Sequence, residues 1–244
     1  MPNQSSEPVR LSLGVTLTAC AGFVDAIGYI GLGGLFASFM SGASVSLGTG
    51  LASRELAPIY QGAAMVASFL SGVVLGTVLS GSLGKRAFPT ALLAESLFLA
   101  GTVVLAWSGY TTPIAILPVV AAMGIQNTIL EPVSGVRLGA TFITGTLVSL
   151  GRGLGKAMIG TAKARQSTGH ALLWCGFVAG ATLGAISPAG LGANALLMPA
   201  GLIVLLAIPS LISALTRGAP KDGSEHAGQR HYLDPQRPFI GPYY

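Results

Sequence analysis

Residues 58–81 read PIYQGAAMVASFLSGVVLGTVLSG and contain no charged side chain. An α-helix rises about 1.5 Å per residue, so about 20 apolar residues cross the ~30 Å hydrocarbon core of a bilayer. A helix that is apolar on every face belongs either in the core of a large protein or in a membrane. This stretch is long enough to cross a bilayer, and it predicts a membrane-spanning helix.

The composition of the whole chain supports a membrane location. Its 244 residues are 51% hydrophobic and 9% charged, whereas soluble domains average about 25% charged residues. Too few polar side chains are therefore present to cover a globular surface. The charges cluster in short stretches between long uncharged ones, as in proteins built of spans and loops. We accordingly interpret the net charge of +5 as orientation signals beside a lipid bilayer, and we expect no nucleic-acid partner.

Further apolar stretches predict an all-α, polytopic membrane protein with about six transmembrane helices. The predicted spans are 11–34, 58–81, 89–107, 113–130, 170–191 and 194–215. Two shorter stretches, 36–52 and 138–155, are rich in Gly, Ser and Thr. Each is a marginal span, a broken or re-entrant half-helix, or an interfacial helix, and the sequence leaves these alternatives open.

The basic residues predict the orientation. With six spans and a cytoplasmic N-terminus, the basic residues fall inside, with Arg137 at the inner boundary and Arg54 alone outside. Counting both short stretches as full spans would instead place Lys85 and Arg86 outside. The positive-inside bias therefore favours six spans and two cytoplasmic termini. Residues 1–10 are then a cytoplasmic N-terminal segment and 217–244 a flexible cytoplasmic tail.

An internal repeat is the most informative feature of the sequence. FMSGASVSLGTGL at 39–51 matches FITGTLVSLGRGL at 142–154 at eight of thirteen positions, with an offset of 103. Weaker matches at offsets of 102 and 108 precede and follow it, which divides the chain into membrane repeats 11–107 and 108–216. Three crossings per repeat is an odd number, so we expect the repeats to be inverted, with a site near the bilayer midplane. The alternative is a duplication whose glycines now serve only close helix packing.

These same residues carry a resemblance to a known family. The segments Gly22-Phe-Val-Asp25-Ala26, Gly33-Gly34-Leu-Phe36, Phe39-Met40-Ser41-Gly42, Gly124-Ile-Gln126-Asn127 and Thr144-Gly145-Thr146 resemble the YoaK-like family. The resemblance covers roughly residues 12–215 and implies a multi-pass protein of the bacterial inner membrane with a domain of unknown function. It implies no substrate. At 40–43 the chain reads Met-Ser-Gly-Ala where the family commonly has Met-Thr-Gly-Asn, so no role of that Asn carries over.

Asp25 is the sharpest candidate for function. It lies about two-thirds along the first predicted span, where a carboxylate costs ~2.5–3.5 kcal/mol on insertion scales. It must therefore meet a partner, a water-filled cavity or a proton. We interpret Asp25 as a proton or cation site or a gate; the alternative is a carboxylate that caps a helix end or bonds a neighbouring helix.

The other candidates are placed on the same pathway. Gln126 and Asn127 occupy the matching position in the second repeat, and their amides either line a polar site with Asp25 or bond across helices. Glu95, about six residues into the third predicted span, is a secondary candidate close enough to the headgroups for a structural role. The small residues of the short stretches line the pathway where the helices break, or otherwise pack between helices: Ser41, Gly42, Ser44, Thr144, Gly145 and Thr146.

The sequence favours two classes of function. It has no GxxxxGK[ST], HExxH or CxxC motif, so we expect no enzymatic activity, no cofactor and no metal site. The first hypothesis is a small transporter or channel for a small molecule or ion. The second is a non-transporting scaffold, or a lipid- or protein-binding module, that uses the basic residues of 152–165 at the inner face.

Overall fold

The computed structural model describes residues 7–31, 34, 36–129, 142–161, 167–187 and 189–216, and these residues form helices and connecting turns. Short 3₁₀ segments, Gly84–Arg86 and Ala189–Leu196, precede the fourth and the last α-helix. The all-α prediction is confirmed. The α-helices are α1 Glu7–Gly31, α2 Met40–Ser53, α3 Leu56–Ser82, α4 Ala87–Trp107, α5 Thr112–Ala115, α6 Leu117–Ile129, α7 Ile143–Met158, α8 Thr168–Ala185 and α9 Leu197–Thr216.

Five helical stretches among the described residues are long and apolar enough to cross a bilayer. They are Pro8–Ile30, Leu56–Ser82, Gly84–Trp107, Thr112–Ile129 and Gly190–Thr216. The remaining predicted span, 170–191, corresponds to α8, whose 18 residues rise about 27 Å. Its polar first turn, with His170, and its glycines make α8 less apolar than the other five stretches.

The two short stretches form continuous helices where the structure describes them. Helix α2 has 14 residues and α7 has 16, which correspond to about 21 Å and 24 Å. Both are shorter than the ~30 Å apolar core, and whether they are re-entrant, spanning or interfacial stays a prediction. Residues 138–141 of the second stretch, like Glu131 and Arg137, lie outside the described residues.

Helix α1 packs most extensively on α8, and glycines allow the approach. A Cβ atom added to Gly180 would overlap the carbonyl group of Ala19, and one added to Gly22 would overlap the carbonyl oxygen of Phe177. Backbone therefore lies directly on backbone, the close packing that small residues permit between membrane helices.

Helices α3 and α6 meet in an equivalent way. A Cβ on Gly72 would overlap the carbonyl group of Ala121, and one on Gly124 would overlap the carbonyl oxygen of Phe69. The residues of α6 follow those of α1 by 102 positions, and those of α8 follow those of α3 by 108, which are the two offsets found in the sequence. The inverted arrangement of the two repeats stays a prediction.

Helix α6 lies in the interior of the bundle, because residues 119–126 are all buried. It contacts α3 on one side and α4 on another, and α4 also packs on α9. Glu95 of α4 is buried among these apolar helices. The fold thus buries a carboxyl group at its centre.

Candidate functional site

Asp25 holds the loop that precedes α2. Its Oδ1 accepts a hydrogen bond from the backbone N–H of Ser38 at 2.9 Å, and its Oδ2 accepts one from the Ser38 hydroxyl. Both residues are buried. We call this pair the clasp. A carboxylate that bonds a backbone N–H just before a helix is the capping arrangement that the sequence left open as the alternative for Asp25.

The clasp fixes the depth at which α2 begins. Helix α1 ends at Gly31, and Gly34, with φ +80°, donates its N–H to the Tyr29 carbonyl at 2.9 Å. Asp25 lies six residues before that end, or about 9 Å along the helix. Because Ser38 bonds Asp25, the chain turns back along α1 by about this distance before α2 starts.

An aromatic stack closes the outer side of this loop. The rings of Tyr29 and Phe36 stack with centroids 5.0 Å apart, and Phe36 meets Phe39 edge to face at 6.1 Å. All three rings remain partly exposed. The ring of Phe39 in turn lies against Gly42, where a Cβ would come within 2.8 Å of it. Loop 36–39 is therefore held by the clasp inside the bundle and by aromatic contacts outside it.

A cleft of about 280 Å³ lies beside the loop, between α2 and α3. Its polar groups are the hydroxyl of Ser46 and the amide of Gln61. The Gln61 Nε2 atom is buried and has no hydrogen-bond partner. The full lining is Gly34, Phe36, Phe39, Gly42, Ala43, Ser46, Gln61, Gly62 and Met65. A donor left unpaired in an apolar wall favours a ligand or water that accepts from it.

Gln126 bonds Glu95 rather than Asp25. Its Nε2 donates to Glu95 Oε1 at 2.9 Å and to the carbonyl oxygen of Leu17 at 3.2 Å. Leu17 lies eight residues from Asp25, or about 12 Å along α1. We call Glu95 and Gln126 the buried pair, since both side chains have no exposed surface.

Glu95 lies deeper than the sequence boundaries predicted. The apolar stretch begins at Gly84 and has 24 residues, so Glu95 sits near its middle, about 16 Å from its start. Glu95 is fully buried among the other helices, and its depth relative to the headgroups stays a prediction. The sequence indicated this earlier start, because the basic residues Lys85 and Arg86 mark the beginning of the helical stretch four and three residues before residue 89.

Asn127 makes a hydrogen bond within α6, and the small residues of the second short stretch lie on α7. The Asn127 amide donates to the Met123 carbonyl of its own helix at 2.6 Å. Thr144 and Gly145 are exposed, and Thr146 is buried. A shared centre of Asp25 and Asn127 stays a prediction.

In the first short stretch the structure brings Gly42 into the cleft. Ser41 is exposed, and the Ser44 hydroxyl donates to the Met40 carbonyl at 2.9 Å within α2. Both serine side chains therefore lie on the exposed side of α2. The sequence analysis did not identify Ser38 or Gln61 as candidates. The signal for Gln61 was the position of its uncharged amide inside the apolar stretch 58–81.

No group of three His, Cys, Asp or Glu side chains among the described residues lies close enough to hold a metal ion. The expectation of a metal-free site stays a prediction.

The family of the chain follows from its sequence. The family model described as protein of unknown function, DUF1275, matches residues 13–209, which is most of the 244-residue chain. The chain belongs to the DUF1275 family. The predicted YoaK-like resemblance is thereby confirmed, and with it a multi-pass transmembrane protein.

Two relatives are named as transmembrane proteins of the same group. The chain is 32% identical over 204 residues to the UPF0700 transmembrane protein RA0705 of Rhizobium meliloti strain 1021, a match that covers 81% of this chain and 86% of the relative. It is 30% identical over 140 residues to the UPF0700 transmembrane protein YoaK of Bacillus subtilis strain 168. That match covers 55% of this chain and 62% of the YoaK protein, so the chain spans less than two-thirds of this relative. No solved structure matches the chain to a significant degree.

Proposed function

We propose that this DUF1275 protein is a small-solute transporter or channel whose solute site is the cleft beside loop 36–39. The observation that carries the proposal is the clasp, which draws non-helical backbone back along α1. Irregular backbone at membrane depth is tolerated only where protein buries it or where it lines a water-filled cavity. Interrupted segments of this kind mark the binding sites of many transporters. On this proposal α2 is one limb of a re-entrant hairpin.

The chemistry of the cleft indicates the class of solute. Phe36 and Phe39 supply an apolar, aromatic edge, and the described residues that line the cleft include no charged side chain. Gln61 offers an unpaired N–H donor, and Ser46 adds a hydroxyl. A volume of about 280 Å³ fits a small, uncharged molecule with a hydrogen-bond acceptor. A charged solute would lose its hydration without gaining a partner.

Flux into liposomes tests the proposal. Purified protein in phospholipid vesicles should speed the uptake of at least one of urea, glycerol and acetamide, read from the swelling rate by light scattering. Gln61→Leu should reduce that rate at least tenfold, because it removes the unpaired donor at similar volume. Ser71→Ala is the matched control, since Ser71 lies on the same helix, is exposed, and bonds only the Ala67 carbonyl in its own helix.

Labelling from the aqueous phase separates a solvated cleft from a lipid-filled one. With Cys20 and Cys175 replaced by alanine, Ser46→Cys should react with a charged methanethiosulfonate at least ten times faster than Ser71→Cys. Equal, slow labelling at both positions, together with swelling no faster than in empty vesicles, would contradict the proposal.

A second candidate function is a non-transporting module that binds anionic lipid through α7. Arg152 and Lys156 are exposed on this helix, and its apolar side chains Val148, Leu154 and Met158 are exposed as well. An amphipathic helix with basic residues suits the surface of an anionic bilayer. A dry cleft in the labelling experiment would favour this function.

We infer that the protein lies in the bacterial inner membrane with both termini in the cytoplasm. Arg54 and the pair Lys85 and Arg86 flank the two ends of α3, and the positive-inside bias assigns the pair to the cytoplasm. A green fluorescent protein fused to the C-terminus should therefore fluoresce, and alkaline phosphatase fused there should be inactive. Active phosphatase with a dark fluorescent fusion would reverse this orientation.

A further inference from the structure

The buried pair leaves two oxygen atoms without partners. Glu95 Oε1 accepts from Gln126, but Glu95 Oε2 and Gln126 Oε1 have no hydrogen-bond partner and no exposed surface. The hydroxyl of Thr18, next to Leu17 on α1, is also buried and unpaired. Buried polar groups in folded proteins are rarely unsatisfied, so an unmet acceptor here indicates that a hydrogen is missing.

No positive side chain among the described residues reaches Glu95. The basic residues of this part of the chain are exposed: Arg10, Arg54, Lys85, Arg86, Arg152 and Lys156. Arg86 lies nine residues before Glu95, or about 13 Å along the helix. A carboxylate in this position would be a buried charge without a counter-ion, which apolar surroundings strongly disfavour.

Few titratable groups lie on the described elements that pack around α4. Cys20 of α1 lies near Glu95 and is buried. Helix α6 contributes the neutral Gln126, and α3 has only Tyr60, which is exposed near its first turn. The segment Gly84–Arg86 contributes the two exposed basic side chains, and α5, α9 and Ala189–Leu196 contain no ionisable residue. Glu95 is thus faced by a thiol and an amide.

On the predicted repeat, the positions equivalent to the buried pair are apolar. The buried face of α4, formed by Leu92, Glu95 and Leu99, recurs in α9 at an offset of 108, where it reads Ala200, Ile203 and Ala207. At an offset of 102 the position of Gln126 corresponds to Val24, which is also buried. Apolar residues fill both equivalent positions. If the repeats are equivalent, apolar side chains can fill these places, and packing alone does not require the carboxyl and amide groups.

We infer that Glu95, held by Gln126, is a proton-binding site and that a proton is the ion coupled to transport. The coupling rests on the proposed function, whereas proton binding does not. In the binding step Glu95 Oε2 takes a proton from water on one side of the membrane and forms an O–H bond. That bond breaks when the proton passes to water on the other side. A proton needs one oxygen atom, whereas a metal ion needs several converging ligands.

Infrared spectroscopy tests proton binding without any solute. The protein in lipid should show the carbonyl stretch of a buried carboxylic acid, and Glu95→Gln should remove it. Glu55→Gln is the matched control, because Glu55 is an exposed carboxyl at the start of α3. Glu95→Leu combined with Gln126→Leu places apolar side chains of similar volume at both positions, as at Ile203 and Val24, and should keep the fold and also lack the band.

Proton flux tests the coupling. Vesicles loaded with a pH-sensitive dye and placed in a pH gradient, with a solute that the protein moves, should show proton entry that falls at least tenfold in Glu95→Gln. An infrared band that persists in this variant would overturn the proton site. Solute flux that continues unchanged in Glu95→Gln would overturn the coupling and leave transport standing. A band lost in Glu95→Gln without any solute flux in the wild type would instead contradict the proposed function.

Discussion

Replacing Gly72 with leucine should prevent α3 from packing on α6 and strongly lower the thermal stability of the protein. The added Cβ would overlap the Ala121 carbonyl group, which belongs to the backbone of a buried helix and cannot rotate away. Overpacking a core costs about 1–3 kcal/mol even where side chains can adjust. In a membrane the close van der Waals fit supplies most of the association energy, so separating the helices removes it.

The measurement is thermal unfolding in detergent, followed by the loss of helical circular dichroism. Gly180→Leu on α8 should behave in the same way, because its Cβ would overlap the Ala19 carbonyl group. Gly81→Leu is the control on α3, since Gly81 is exposed and has open space around it. Gly81→Ala should even stabilise the helix by up to about 1 kcal/mol. Equal unfolding temperatures for the Gly72 and Gly81 variants would show that α3 and α6 do not meet as described.

The helices could be predicted from the sequence because hydropathy is a local property. The observed bounds of α3 and α4 differ from the predicted 58–81 and 89–107 by two residues at most. Helix α8 is the marginal case, since a polar first turn and small residues lower its hydropathy. The tight packing of α8 on α1 compensates for this lower hydropathy. Such packing involves residues far apart in the sequence, so a hydropathy average over a short segment does not detect it.

The candidate site could be predicted only in part. Asp25 was identified because placing a carboxyl group within a long apolar segment costs free energy of membrane insertion, so such a residue stands out in the sequence. Its partner Ser38 was not, because that contact requires the chain to reverse along α1 after Gly31. The hydrogen bond between Gln126 and Glu95 joins residues of two helices that are 31 positions apart in the sequence. A single sequence without an alignment gives no signal for such a pair.

The two polar centres differ in how well their acceptors are satisfied. Both oxygens of Asp25 accept hydrogen bonds from Ser38, whereas the Oε2 atom of Glu95 accepts none. A carboxylate whose two oxygens both accept hydrogen bonds is suited to holding a loop in place. A carboxyl group with an unpaired oxygen is suited to taking up and releasing a proton. We therefore assign Asp25 to positioning loop 36–39 and Glu95 to proton chemistry, although Asp25 was the stronger candidate from sequence.

Asp25→Leu should release loop 36–39 and destabilise the protein by about 3–5 kcal/mol. The backbone N–H and the hydroxyl of Ser38 would both lose their acceptor while they stay buried, and each unsatisfied group costs ~1–3 kcal/mol. Asp25→Asn should cost less, because its Oδ1 still accepts from the Ser38 N–H and its Nδ2 can still meet the hydroxyl. Loosening is measured on Ala37→Cys in a background without native cysteines. Ala37 is fully buried, so maleimide labelling should be at least tenfold faster once Asp25 is leucine.

A double-mutant cycle tests whether loss of the clasp causes the destabilisation and the faster labelling expected for Asp25→Leu. Ser38→Ala removes one of the two donors, so its effect on unfolding free energy should be smaller in the Asp25→Leu background than in the wild type. Residues in direct contact couple in this way, whereas independent sites add. If the two effects add, or if Ala37→Cys labels equally slowly in both backgrounds, then Asp25 does not hold this loop. The re-entrant hairpin that the proposed solute site requires would lose its anchor as well.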